Sequence, residues 1–282
     1  MGVETSVGDD PVAIELNVDS ALLLKTLGGI DSYPLVLALL PNVYRIEDRK
    51  RVDEVVAAQL VDAGVLVDGD VHPTVEHWLQ CLYRPDVELA VRVLDYESDS
   101  ESPDMLRLSL VRSGDTHVLA MRCDDHVVIQ SIFQEGEQLD TVTAAVLAAL
   151  GPCPPVEFEP VTVSAAQLED ISAEPAERRQ ALLELGAHPH TAGMLVRVLE
   201  EVSRRAEVVV IEHHDGRKAR PEACATVLDT PSGRIAVSPS VAMDGELWST
   251  YAPGDDASLR AAVAALVELL PGRRWFGTSR IG

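Results

Sequence analysis

Asp86–Tyr96, Met105–Arg112, His117–Arg122 and Val127–Phe133 read as four short strands, and Thr141–Leu150 reads as a helix closed by Gly151-Pro152. This block decides the fold because much of it returns 119 positions later. Ser113-Gly114 recurs as Ser232-Gly233, Val91 as Val210, Val118 as Val237 and Asp125 as Asp244. Ala145, Leu147, Leu150 and Pro152 recur as Ala264, Leu266, Leu269 and Pro271. A period of that length describes a duplicated half-domain, not a solenoid unit. The expectation is an α+β protein of two quasi-twofold halves.

Working outward, Ile14–Val18 alternates like a strand, and Asp19 is the expected cap of a helix that ends at Gly28-Gly29. Glu47–Ala63 forms a second helix with Val52, Val55, Val56, Leu60 and Val61 on its buried side. Pro73 opens a third, striped by Val75, Trp78, Leu79 and Leu82. Arg107–Val111 alternates as a half-exposed strand does. In the second half, helices are expected at Gln167–Ile171, Pro175–Leu185 and Thr191–Arg205. Strands follow at Glu207–His213, Cys224–Asp229, Arg234–Pro239 and Leu247–Tyr251, and a last helix capped by Asp255 or Asp256 runs to Leu270. The domain reading is a disordered leader (1–12), then one domain made of half one (13–150), a join (151–163) and half two (164–282).

Composition narrows the function. The chain has 282 residues, 46% of them apolar, enough for a substantial core. Its formal charge of −23 argues against nucleic acid and against anionic membrane surfaces, since both select Lys and Arg. No apolar run approaches the ~20 residues that span a bilayer, so no membrane insertion is expected. The N-terminus lacks the features of a signal peptide, and Cys81, Cys123, Cys153 and Cys224 are scattered. A cytoplasmic protein with reduced thiols is the expectation.

Catalytic and metal signatures fail on inspection. No nucleophile elbow, phosphate loop, dinucleotide fingerprint or zinc-protease motif occurs, so no enzyme and no cofactor is expected. His188-Pro189-His190 lacks a partner at suitable spacing, and His213-His214 should point to opposite faces of a strand. His72 and His77 fall on different sides of a helix. The acidic runs at Asp9-Asp10 and Asp95–Glu101 read as solvated loops. One stretch stands out, Asp215-Gly216-Arg217-Lys218-Ala219-Arg220, with three cations in six residues of an acidic chain. It suits a steering rim for a protein partner as well as an ordinary hairpin tip.

Val227–Ser240, Gly245–Gly254 and Leu269–Phe276 resemble the EspG family of actinobacterial type VII (ESX) secretion, as do Ile14–Asp19, Gly64–Leu66 and Arg84–Leu89. The resemblance runs from about position 12 to 282. Ser238-Pro239-Ser240 and Asp244-Gly245-Glu246 are most similar to the ESX-3-associated branch. It implies a cytosolic, non-enzymatic chaperone that binds the apolar tip of the PPE subunit of a PE–PPE heterodimer. It also implies a central antiparallel sheet flanked by two helical bundles, with the tip against the sheet and the C-terminal bundle. By position, the contact candidates are Leu119, Met121, Val128 and Leu228 on strands, Leu195, Val198 and Leu199 on a helix, and Lys218 and Arg220 on the rim. Core packing is the competing reading of each apolar one. A self-assembling structural protein, or an enzyme with a cleft between the halves, are the alternative functions, and monomer and homodimer both remain open.

Overall fold

The computed structural model describes residues 10–41, 45–96, 103–164, 167, 174–216 and 223–280. Twelve strands are described: β1 (Ala13–Asn17), β2 (Leu66–Val67), β3 (Asp70–Val71), β4 (Val87–Asp95), β5 (Asp104–Ser113), β6 (Thr116–Cys123), β7 (His126–Ile132), β8 (Val161–Ser164), β9 (Arg204–Glu212), β10 (Ala225–Thr230), β11 (Gly233–Val241) and β12 (Leu247–Pro253). The helices are α1 (Val18–Leu27), α2 (Ile46–Asp62), α3 (Pro73–Tyr83), α4 (Asp140–Leu150), α5 (Pro175–Glu184), α6 (Pro189–Val198) and α7 (Asp256–Glu268).

Ten strands form one antiparallel sheet in the order β1-β7-β6-β5-β4-β9-β10-β11-β12-β8. The order is symmetrical about the β4–β9 pair. Outward from that pair, β5 corresponds to β10, β6 to β11, β7 to β12 and β1 to β8. β4 and β9 align Val87 with Glu212 at one end and Asp95 with Arg204 at the other. The repeated Ser-Gly pairs lie at the matching hairpins, β5–β6 and β10–β11. The outer edges are short, five residues in β1 and four in β8.

Three apolar cores follow from strand alternation. On one face, Val87, Leu89, Val91 and Val93 of β4 and Ala206, Val208 and Val210 of β9 pack under α4 and α7, which also contact each other. On the opposite face, α1–α3 cover the β1, β7, β6 side through Leu24, Trp78, Leu79, Val118, Ala120 and Ile129. Also on that face, α5 and α6 cover β10 and β11 through Leu182, Leu195, Val198, Leu228 and Ile235. Among the described residues, no helix covers the middle of this second face.

Several sequence expectations need correction. The cap of α1 is Asn17, whose side chain accepts from the Ser20 amide at 2.7 Å; Asp19 lies inside the first turn. Val55 and Val61 are exposed on α2, because Val56 and Leu60, four residues apart, already fill its buried stripe. β5 is not half-exposed: Leu108, Ser109, Leu110 and Val111 are all buried, since helices cover both faces there. The helix expected to reach Arg205 stops at Val198, and Arg204 already begins β9. Val161–Ser164, expected within and just after the join, pairs with β12 as strand β8. Of the two caps expected for the last helix, Asp255 is the one observed, accepting from the Ser258 amide at 2.7 Å, so that expectation holds. The expected leader through position 9 and helix 168–171 lie outside the described residues.

The Pro154–Val156 segment, expected to lie in the join, crosses the sheet beside a buried ion pair. Arg234 is 3% exposed and holds Asp229 through two bonds of 2.6 and 2.8 Å. The Arg234 amide donates to the Pro154 carbonyl, and the Val156 amide returns a bond to the Arg234 carbonyl. Gly233 sits at φ +126°, where a Cβ would lie 2.6 Å from the Pro154 oxygen, so the crossing requires glycine. Removing the guanidinium would leave a carboxylate buried without its charge partner. Arg234→Met should therefore lower unfolding free energy by about 3–5 kcal/mol in chemical denaturation, and the Asp229→Leu/Arg234→Met double variant should regain most of it.

Candidate functional site: the cleft on the open sheet face

Between the two helical clusters lies a cleft of about 780 Å³ whose floor is the uncovered centre of the sheet. Alternation aims Glu88, Ala90 and Arg92 of β4 into it, with Val209, Ile211 and His213 from β9 and the segment following it. One wall is the segment Ser32–Val36 with Leu82 and Tyr83; Cys224 and Thr226 lie toward the other side. Leu35 stands 92% exposed at this wall, held there by buried neighbours Tyr33 and Leu37. The Tyr33 hydroxyl donates to the Ala21 carbonyl at 2.8 Å, and its burial pushes the phenol pKa up.

The floor reads as three cross-strand rows. At one end, buried Glu88 accepts from Ser109 Oγ at 2.9 Å and lies 3.1 Å from His213 Nε2. In the middle, Ala90 stands beside Val209 and makes the floor apolar. At the other end, the strand registers place Arg122, Arg107, Arg92 and Glu207 directly opposite one another in turn. Glu207 pairs with Arg92 and, at 3.2 Å, with Arg205. Arg122 is turned to backbone carbonyls, those of Leu37, Ala38 and Asp124. Burial, then the nearby Arg122 and Arg92, pull the Arg107 pKa below its ordinary value.

Beyond the Glu88 end, the C-terminal segment is strapped across the sheet. Arg112 donates to the Trp275 and Thr278 carbonyls, each at 2.8 Å, and Trp275 Nε1 donates to His117 Nε2 at 3.0 Å. Burial lowers the His117 pKa, which suits a neutral ring accepting that bond. Arg84 and Arg280 converge on Asp215, whose pKa falls chiefly through the Arg280 hydrogen bond.

The structure redistributes the candidates read from sequence. Leu119 is buried under α4 and α7, and Leu228 beneath α5 and α6, so neither is an outward strand residue. Leu195 and Val198 are buried in the α5–α6 core because both lie on the helix face that meets the sheet. Met121 and Leu199 are half-buried against those two cores, and Val128 is half-buried on β7. Lys218 and Arg220 lie outside the described residues. What sequence reading missed is the cleft floor, the exposed Leu35 and the arginine row. His213 faces the cleft, whereas His214 pairs with Glu212 at 3.1 Å. Among the described residues, no group of three or more His, Cys, Asp or Glu is placed to hold a metal ion, and no helix is long and apolar enough to cross a membrane.

The site is thus an open, half-apolar sheet face framed by two helical clusters. The chain belongs to the EspG family, whose model matches residues 17–265. It is 31% identical over 269 residues to the ESX-3 secretion-associated protein EspG3 of Mycolicibacterium smegmatis, covering 94% of this chain and 90% of that protein. It is 30% identical over 270 residues to the ESX-1 secretion-associated protein EspG1 of Mycobacterium marinum, covering 95% and 92%. The fold matches the Mycobacterium tuberculosis type VII secretion system chaperone EspG5, solved in complex with a PE25–PPE41 dimer. That match has a TM-score of 0.79 at 19% identity, over 95% of this chain and 100% of the other.

Cys224 supplies a native reporter of the cleft. The residue is exposed, but its thiol hydrogen-bonds the Ala225 carbonyl at 3.2 Å and burial raises its pKa above the ordinary 9.0. Its alkylation by iodoacetamide, followed by mass spectrometry, should keep accelerating as pH rises past 9.0, because only the thiolate reacts. Cys81, whose pKa is pushed up to about 11 by burial, should remain unmodified until the protein unfolds.

Proposed function

We propose that this chain is a cytosolic, non-enzymatic chaperone of type VII secretion. It binds the apolar tip of the PPE subunit of a PE–PPE heterodimer, keeps the pair soluble and directs it to its secretion system. The cleft carries this reading: an open sheet face, flanked by helical clusters, in a member of the EspG family whose fold matches a chaperone solved with a PE–PPE dimer. An exposed apolar tip is an aggregation hazard, and covering it takes a concave surface of about 1,200–2,000 Å² in total. Leu35, Val209 and Ile211 supply apolar contact, with Leu199 as an outlying candidate and Lys218 and Arg220 as rim cations; Met121 and Val128, which face the α4 and α7 side of the sheet, drop out as contacts. Positions 13–282 act as one domain of two duplicated halves, joined at 151–163.

Co-expression with PE–PPE pairs from the same genome should yield a soluble 1:1:1 complex with one or a few of them, measured by light scattering. If every pair fails to co-purify, the reading falls. Leu35→Asp should leave unfolding free energy within about 0.5 kcal/mol of native. The same change should weaken binding of that pair by about 2 kcal/mol or more, as expected of an apolar anchor.

A further inference from the structure

The arginine row at one end of the cleft is not explained by the folding of the chain. Arg122, Arg107 and Arg92 stand directly opposite one another on three adjacent strands, and like charges so placed destabilise a sheet. They do so in a protein with 46 acidic residues against 23 basic ones. The row's carboxylate, Glu207, is already divided between Arg92 and Arg205. Arg122 is satisfied by carbonyls of the N-terminal helical cluster. Among the described residues, no carboxylate lies within ion-pair distance of Arg107, whose side chain lines the cleft.

Half-buried and lining an open cleft, that guanidinium is accessible to solvent in the free protein. A partner lying over the cleft removes the water, and a purely apolar partner would leave a buried cation without an acceptor. The seated surface must therefore bring oxygen atoms to this end. The planar fork of arginine matches a carboxylate through two parallel, charge-assisted hydrogen bonds. The chain's overall negative charge does not prevent this, because at physiological salt charges beyond about 8 Å are largely screened.

We infer that Arg107, supported by Arg92, reads an aspartate or glutamate side chain on the tip of the bound partner, so that the cleft selects an apolar tip bearing one acid. This rests on the chaperone reading above and adds a determinant of partner choice to it.

The test uses full-length protein and a PE–PPE heterodimer that co-purifies with it. Arg107→Gln should lower affinity about tenfold or more at ~0.15 M salt while leaving the melting temperature unchanged or raised, since it relieves repulsion. Arg260→Gln, on α7 at the covered face, removes the same charge and should leave affinity unchanged. Each Asp and Glu of the PPE tip is then changed to its amide. One such change should weaken binding to the native chain yet have little further effect on Arg107→Gln, the mark of a direct pair. If Gln at 107 lowers the melting temperature, Arg107→Lys keeps the charge without the fork and should still lose affinity. Equal affinity of native and Arg107→Gln chains overturns the inference, as does an equal loss in Arg260→Gln. Absence of any tip acid coupled to Arg107 overturns it too, and points to carbonyl oxygens as the acceptor. Failure of every pair to bind the native chain removes the chaperone reading and this inference together.

Discussion

The antiparallel pairing of β4 with β9 is the constraint on which the remaining architecture depends. It joins two five-strand halves into one sheet and brings residues more than a hundred positions apart into register. Because side chains alternate along both strands, that single register fixes two surfaces at once. Val87, Leu89, Val91 and Val93 go to the side sealed by α4 and α7, while Glu88, Ala90 and Arg92 go to the side left open. A slip of one residue would exchange the sealed and open sets.

The cleft exists because the described helices cover the second face incompletely. The α1–α3 cluster is held over β5–β7 and β1, and α5–α6 over β10 and β11, so a central strip remains between them. The strip is not uniformly apolar. It grades from the Glu88–His213 pair, across Ala90 and Val209, to the arginine row, and this gives an entering surface direction as well as contact. Leu35 is exposed at the wall although its neighbours Tyr33 and Leu37 are buried.

Most strands and helices were legible because short alternating runs bounded by Ser-Gly and Asp-rich turns, and helices opened by Pro or Asp, leave strong local signals. Errors arose where local signals conflicted with tertiary packing. Leu195, Val198, Leu199 and Val202 keep helical spacing, yet the chain leaves the helix near Leu199 so that Arg204 can enter β9 beside β4. The site was less legible. Alternation says that Leu119 and Leu228 share a face with certain neighbours, but it cannot say which face a helix covers. The Arg107–Arg122 pairing was within reach, since the turn between Ser113 and Thr116 sets the β5–β6 register. The Arg92–Arg107 and Arg92–Glu207 pairings were not, because a long connection joins β4 to β5, and most of half one's hairpins and the whole join separate β4 from β9.

The ends of the sheet carry a different lesson. Among the described residues, the two margins of the ten-strand sheet are β1 and β8, five and four residues long. So little free backbone offers a poor template for lateral strand addition. A protein with a half-apolar open sheet face has particular need of this, since a long free edge beside that face would invite lateral association. Its broad adhesive area is confined to a recessed strip, and its perimeter gives a second sheet almost nothing to grip.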